Sequence, residues 1–245
     1  MNPKFIAILF VLCTVRNTYC GGGGGDYASS CLLVSVEGNI GSGKSTFLTY
    51  CGQDPTFEVL QEPIAKWSNV GGVNLLDNFY KDPKAWGYPF QMKVLMSLFD
   101  QYTSEPVRPI RMVERSLWSA RHCFQRGMAS SGALDSTTSA LLDQFHDTVA
   151  SHWRAHPHAI VYLTTSPDVS YQRLRARGRP EESNVSLKYL QDLDKYYDEW
   201  LSDLQARNMA EEADVPIFTI GADRPLPELH RVFDQCMSDL RLLLL

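Results

Sequence analysis

The apolar, β-branched run at residues 31–37, CLLVSVE, leads straight into GNIGSGKST at residues 38–46. A strand that ends in glycines and continues as a helix leaves little choice of fold. Such a strand is buried on both faces, which calls for a parallel sheet covered by helices. The glycines let backbone N–H groups turn inward, and the start of the following helix adds its positive end, so the turn is shaped for phosphate oxygens. Gly38-x-x-x-x-Gly43-Lys44-Ser45 is the Walker A pattern in the strand–turn–helix context that gives it meaning. Gly38, Asn39, Ile40, Gly41, Ser42, Gly43, Lys44, Ser45 and Thr46 are therefore the expected ATP-phosphate site. Lys44 would reach the β- and γ-phosphates, and the Ser45 hydroxyl would ligate Mg2+. Neither D-x-x-G nor N-K-x-D occurs, which disfavours a GTP switch.

Four more runs read as strands: residues 57–62 (FEVLQE), 110–114 (IRMVE), 159–165 (AIVYLTT) and 215–223 (VPIFTIGAD). Between and after them, apolar residues recur at helical spacing. The stripes are Trp86, Phe90, Val94 and Leu98; Leu141, Phe145, Val149 and Trp153; Leu190, Leu193, Tyr197, Trp200, Leu201 and Leu204; and Leu229, Val232, Phe233, Cys236 and Leu240. Ser166-Pro167 reads as an N-cap followed by a first-turn proline. The alternation predicts an α/β fold, a doubly wound five-stranded parallel sheet with helices on both faces. At 245 residues, residues 31–245 make one such domain.

Residues 1–30 are set apart from it. Lys4, an apolar run over residues 5–13 and small polar residues after it make a signal-peptide-like, targeting-like segment; the lack of acids before Asp26 is a trait a mitochondrial presequence would share, though Lys4 and Arg16 are few basic residues, and Gly21 to Gly25 make a flexible spacer. The run is too short to span a membrane, and no other is long and apolar enough. For a chain with an expected ATP-phosphate site secretion makes little sense, so mitochondrion or cytoplasm is the expected location. Six scattered cysteines without C-x-x-C spacing point to a reducing compartment. His152, His156 and His158 read as a solvated helix end rather than a metal site. A net charge of -5 argues against binding nucleic-acid polymers.

Glu62 and Glu114 stand at the ends of strand-like runs, where ligands of doubly wound sheets gather. One could take a proton from an acceptor hydroxyl and the other hold Mg2+, with Arg115 steadying a carboxylate or phosphate. Surface acids at strand ends are the equally weighted alternative. The run YQRLRARGRPEES places Arg173, Arg175, Arg177 and Arg179 before Glu181 and Glu182. Gly178 and Pro180 end that helix. The run is either a solvated face or a lid that closes over a transferring phosphoryl group.

Taken together, EGNIGSGKST, EPIAKWSNVGGVNLL, YKDPKAWGYPFQ, VERSLWSARHCF, YLTTSPDVSYQRLRARGRPEES and LKYLQDLDKYYDEWL, in this order, resemble the deoxynucleoside kinase family. The likeness is to its insect multisubstrate and mitochondrial thymidine kinase branch and covers residues 34–201. The helix at SGALDSTTSALLDQFHDTVASHW departs by lacking a Glu-Trp pair. The resemblance implies transfer of a phosphoryl group from ATP to the 5′-hydroxyl of a deoxyribonucleoside, by a homodimer. It implies Glu62 as general base, Glu114 and Arg115 at Mg2+ and the 5′-oxygen, and Gln91 on the base edge. It also implies Trp67 and Phe124 flanking the base, Tyr80 and Glu182 on the 3′-hydroxyl, and Arg177 and Arg179 as the lid. The resemblance further implies that Ala120, with Val94 and Leu98, lines the base pocket, where this chain offers no charge pair, which predicts pyrimidine preference. A monophosphate kinase and an inactive scaffold subunit of the same superfamily are the competing readings.

Overall fold

The structure, a computed structural model, describes residues 31–152, 156–210 and 214–244. The targeting-like segment and Trp153 lie outside them. Five strands form one parallel sheet: β1 (Leu32–Glu37), β2 (Phe57–Leu60), β3 (Ile110–Glu114), β4 (Ala159–Thr164) and β5 (Ile217–Gly221), in the order β2-β3-β1-β4-β5. The register pairs Val34 with Met112 on one side of β1 and with Ala159 on the other. The chain first winds outward to β2 and back through β3, then crosses β1 to β4 and β5. The winding therefore reverses at β1, and a crevice opens at the carboxyl ends of β1, β3 and β4.

The strand alternation decides which face each residue serves. Leu32, Val34 and Val36 join Ile110, Met112 and Val161 beneath α1 (Lys44–Cys51) and α10 (Leu226–Leu242), where Phe47 and Phe233 meet edge to face at 4.8 Å. The other face carries Leu33 and Val113 under α4 (Pro83–Thr103) and α7 (Ser136–Ala150), and Ile160 and Tyr162 under α8 (Pro167–Arg177) and α9 (Leu187–Met209). Ser35 and Glu37 also belong to this second face by alternation and are fully buried. Two short helices, α2 (Ile64–Trp67) and α3 (Leu75–Lys81), and the π-helical turn Ala120–Gln125 with α6 (Arg126–Ser130) enclose the crevice; α5 (Leu117–Ser119) leads into that turn.

Several expectations are corrected. β2 ends at Leu60, so Gln61 and Glu62 lie beyond the sheet; Pro63 follows with no N–H to continue a ladder, and the backbone turns away into α2. In α7 the inward stripe is Leu142, His146 and Val149, while Leu141 is half exposed. An apolar count skips the buried histidine and settles on the wrong leucine. Ser166 stands at the start of α8 but its side chain makes no cap bond; its N–H instead donates to Asp223, at 3.1 and 3.2 Å from the two carboxylate oxygens. His158 is no solvated helix end. Its Nδ1 accepts the Leu33 N–H at 2.9 Å, substituting for a ladder partner at the start of β1, and burial holds its pKa below the ordinary value.

Candidate active site

The phosphate loop follows from its glycines. Gly38, Gly41 and Gly43 have φ of 141°, 80° and 102°, which side-chain-bearing residues rarely adopt. Gly43 is the residue from which α1 departs, so the Lys44 side chain and the first N–H groups of α1 face one space. Lys44 is buried, and its Nζ donates to the carbonyls of Gly38 (3.1 Å) and Asn39 (2.7 Å). Burial, reinforced by the Arg115 charge, lowers its pKa to about 8. Asn39 turns its side chain away from the loop, donating to the Leu190 carbonyl at 2.8 Å and accepting the Ile40 N–H. It ties the loop to α9.

At the end of β3 the chain makes a sharp turn through Arg115, the one described non-glycine residue with positive φ, at 66°. The Arg115 N–H donates to Val36 and its carbonyl accepts the buried Tyr102 hydroxyl at 3.0 Å, so the strained backbone is held from both sides. This turn aims Glu114 and Arg115 into the crevice. Both Glu114 carboxylate oxygens lie 3.2 Å from the Ser45 hydroxyl, and one is 4.0 Å from Lys44 Nζ. Burial and the neighbouring Glu62 charge raise the Glu114 pKa. A carboxylate and a hydroxyl converging at the head of α1 form the hard-oxygen set that suits Mg2+.

Arg115 Nε donates to Glu62 at 2.6 Å, and its Nη1 donates to the Gly38 carbonyl at 2.9 Å and the Tyr197 hydroxyl at 2.6 Å. Its Cζ lies 4.6 Å over the Phe124 ring. Burial opposes the charge, but Glu62, Tyr197, Glu114 and Glu37 outweigh it, and the guanidinium pKa is raised.

Lys44, Ser45, Glu62, Glu114 and Arg115 line the polar end of a cavity of about 390 Å³. The far end is apolar: Trp67, Val94, Leu98, Ala120 and Phe124 line it, with Phe90 completing the wall. The Trp67 indole N–H donates to Ser97 at 3.1 Å, which fixes the ring edge-on to Phe90. Gln91, nearly fully buried in α4, donates to the Ala120 carbonyl at 2.7 Å, a carbonyl that begins the π-helical turn.

Tyr80 and Glu182 stand at the cavity's side with Arg173, Arg177 and Arg179. Gly178, at φ 65°, terminates α8, and the turn Pro180–Asn184 folds Glu182 inward. Two arginines hold that carboxylate: Arg177 Nη2 lies 2.8 and 2.6 Å from its oxygens, and Arg179 Nη1 3.3 Å from one of them. A residue expected on a sugar and two expected on phosphates thus share one ion-pair cluster. Of the loop residues expected to contact phosphates, Ile40, Gly41, Gly43, Lys44, Ser45 and Thr46 reach the cavity wall, whereas Gly38, Asn39 and Ser42 do not.

Sequence reasoning passed over two groups. Glu37 and Tyr197 are both fully buried beside Arg115. The available signal was an acid in an otherwise apolar, two-sided strand.

Residues 34–244 match the family model described as deoxynucleoside kinase. The chain is 35% identical over 203 residues to "Thymidine kinase 2, mitochondrial" of Homo sapiens, covering 83% of this chain and 75% of that protein. It is 33% identical over 192 residues to a probable deoxycytidine kinase of fowlpox virus, covering 78% of each. To "Deoxycytidine kinase 2" of Gallus gallus it is 30% identical over 216 residues, covering 78% of this chain and 82% of that protein. With a phosphate loop, a paired carboxylate and an apolar pocket meeting in one cavity of a parallel α/β sheet, the chain belongs to the deoxynucleoside kinase family.

Proposed function

We propose that this protein transfers the γ-phosphoryl group of ATP to the 5′-hydroxyl of deoxyribonucleosides, pyrimidines foremost, in nucleotide salvage. The observation that carries this reading is the single cavity with a phosphate loop at one end and an apolar slot at the other. Glu62 and Arg115 stand between them. Glu62 accepts the 5′-hydroxyl proton as that oxygen attacks the γ-phosphorus and ADP departs. Arg115 keeps the Glu62 carboxylate turned toward the acceptor and adds positive charge where the transferring group becomes more anionic. Lys44 exchanges its two carbonyl partners for phosphate oxygens. Ser45 and Glu114 would hold Mg2+, which supplies charge neutralisation to the donor phosphates.

Trp67 and Phe124 sandwich the base, and Gln91, fixed on Ala120, presents its amide to the base edge. Tyr80 and Glu182 take the 3′-hydroxyl, while Arg177 and Arg179 move from Glu182 to the phosphates. Val94, Leu98 and Ala120 offer an apolar wall to the rest of the base, which suits a pyrimidine. A phosphate acceptor would be repelled by Glu62. The enzyme works as a homodimer through α4 and α7, whose outward faces expose Met96 and Leu141. Its location is the mitochondrion or the cytoplasm, which imaging of a C-terminal tag decides.

Turnover with Mg-ATP is measured for thymidine, deoxycytidine, deoxyadenosine, deoxyguanosine and thymidine monophosphate. The expected order puts thymidine and deoxycytidine first and the monophosphate at background. A higher kcat/KM for deoxyguanosine than for thymidine overturns the pyrimidine preference; no turnover of any nucleoside overturns the activity.

A further inference from the structure

We propose that Glu37 and Tyr197 form a buried positioning pair that sets the orientation of Arg115, and through it of Glu62. The inference rests on the role of Arg115 given above and extends it to two residues that touch no substrate.

A guanidinium only donates, so Arg115 Nη1, 2.6 Å from the Tyr197 oxygen, uses a lone pair of that oxygen. The phenol proton is then free for Glu37 Oε2, a long contact at 3.5 Å, with the Ser119 side chain beside both groups. The chain runs one way: Glu62 accepts from Arg115, Arg115 donates to Tyr197, and Tyr197 donates to Glu37. Burial raises the Tyr197 pKa, so the phenol keeps the proton this order requires.

Packing makes the chain stiff. The Tyr197 ring is fully buried, stacked on Tyr162 at 6.0 Å and edge-on to Phe124 at 6.5 Å. Phe124 also underlies the Arg115 guanidinium. Tyr197 therefore cannot move without disturbing the surface on which Arg115 rests. Glu37 is the residue immediately before Gly38, whose carbonyl is the other acceptor of Arg115 Nη1. The stem of the phosphate loop thus holds Arg115 twice, directly at Gly38 and through Tyr197 at Glu37. Nε is left facing Glu62. A fully buried acid is costly unless it is compensated. Burial pushes the Glu37 carboxyl upward, and Ser116, Ser119, Arg115 and Lys44 oppose that rise. Its placement makes sense as a fixed reference for a charged side chain in the reacting centre.

The test combines single variants with a double-mutant cycle, measured on the full chain with Mg-ATP and thymidine. Tyr197→Phe removes one oxygen and keeps the ring. It is expected to lower kcat roughly 10- to 100-fold, the size of a hydrogen bond to a charged group, with both KM values within about threefold of wild type. Glu37→Gln keeps an acceptor for Tyr197 but loses the charge, and should lower kcat by a smaller factor in the same way. In an Arg115→Lys background, Tyr197→Phe should cost at most about threefold more, because the residue through which it acts has already been changed.

The proposal is overturned by a Tyr197→Phe kcat within about threefold of wild type. It is equally overturned by a full loss repeated on top of Arg115→Lys, or by a rise in KM that accounts for the whole effect. If Tyr197→Phe does not fold, Glu37→Gln decides by the same criteria; failure of both to fold assigns the pair to the scaffold and overturns positioning. Arg115→Lys with wild-type kcat instead refutes the role of Arg115 itself, a result separable from all of these.

Discussion

Replacing Glu62 with Gln isolates the proton acceptor from everything else the residue does. The carboxylate is 2.6 Å from Arg115 Nε, and its side chain is 17% exposed. An amide of the same shape can still accept from Nε through its oxygen, so the position of Arg115 is kept. Two charge effects then oppose each other. Arg115 loses a close anion, while Glu114, whose pKa is raised in part by the Glu62 charge, is relieved of a like neighbour. The net stability change should stay within about 1 kcal/mol, or about 2–4 °C in Tm for a chain of this size.

Turnover has no such compensation. A neutral amide cannot take the 5′-hydroxyl proton, and loss of a positioned general base costs about 10²–10⁴ in rate, or roughly 3–5 kcal/mol of barrier. Phosphoryl transfer is followed by ADP release, and thymidine binding by quenching of tryptophan fluorescence, because Trp67 lines the cavity. The expected result is a large loss of kcat with thymidine and ATP affinities held within severalfold. A kcat within threefold of wild type would remove Glu62 from the chemistry. Equal losses of binding and turnover would make it a substrate-holding group instead.

Leu142→Ala should cost about 2–5 kcal/mol, lowering Tm by roughly 4–20 °C, since Leu142 is fully buried on the inner face of α7. A small shift would return the buried stripe to Leu141. Leu141→Glu should leave kcat unchanged and weaken self-association in sedimentation, and an unchanged oligomer would move the dimer face elsewhere. Asp194 is raised to about 6 by partial burial and by Asp198. Its ionised form therefore destabilises the fold fully above about pH 6, and this cost fades as pH falls toward the unfolded carboxylate range near 4. Discounted for solvent screening, Asp194→Asn should gain up to about 1 kcal/mol at pH 7, with the Tm gap closing by pH 4; a gap that widens on acidification contradicts this.

The sheet was legible because buried parallel strands are short apolar runs and the intervening helices carry apolar stripes. The register of α7 was not, because its inward face includes His146, which burial keeps neutral with a lowered pKa and which an apolar count treats as surface. The end of β2 was overrun for a related reason: the carboxylate of Glu62 marks the crevice, and pattern alone cannot separate a strand end from the loop beyond it. Most residues that line the cavity were legible as a set because motifs name types and order. Their partners were not. Nothing in RGRPEES says that Arg177 and Arg179 pair with Glu182. Helical spacing did put Tyr197 rather than Tyr196 on the inward stripe, but nothing in KYYDEW says that its hydroxyl meets Arg115.

This difference bears on how the two halves of the reaction are joined. A positive φ at a β-unbranched, charged residue costs about 1–2 kcal/mol, and at Arg115 that strain is held by Val36, Tyr102 and the side-chain bonds to Gly38, Glu62 and Tyr197. Those partners come from β1, α4, the phosphate loop, the segment after β2, and α9. One residue thus receives the geometry of the donor side through Gly38 and passes it to the acceptor side through Glu62. Displacing the phosphate loop by a fraction of an ångström would turn the guanidinium, and the carboxylate with it. In the reaction proposed above, donor and acceptor would be coupled through a single strained arginine whose every polar contact belongs to a different element.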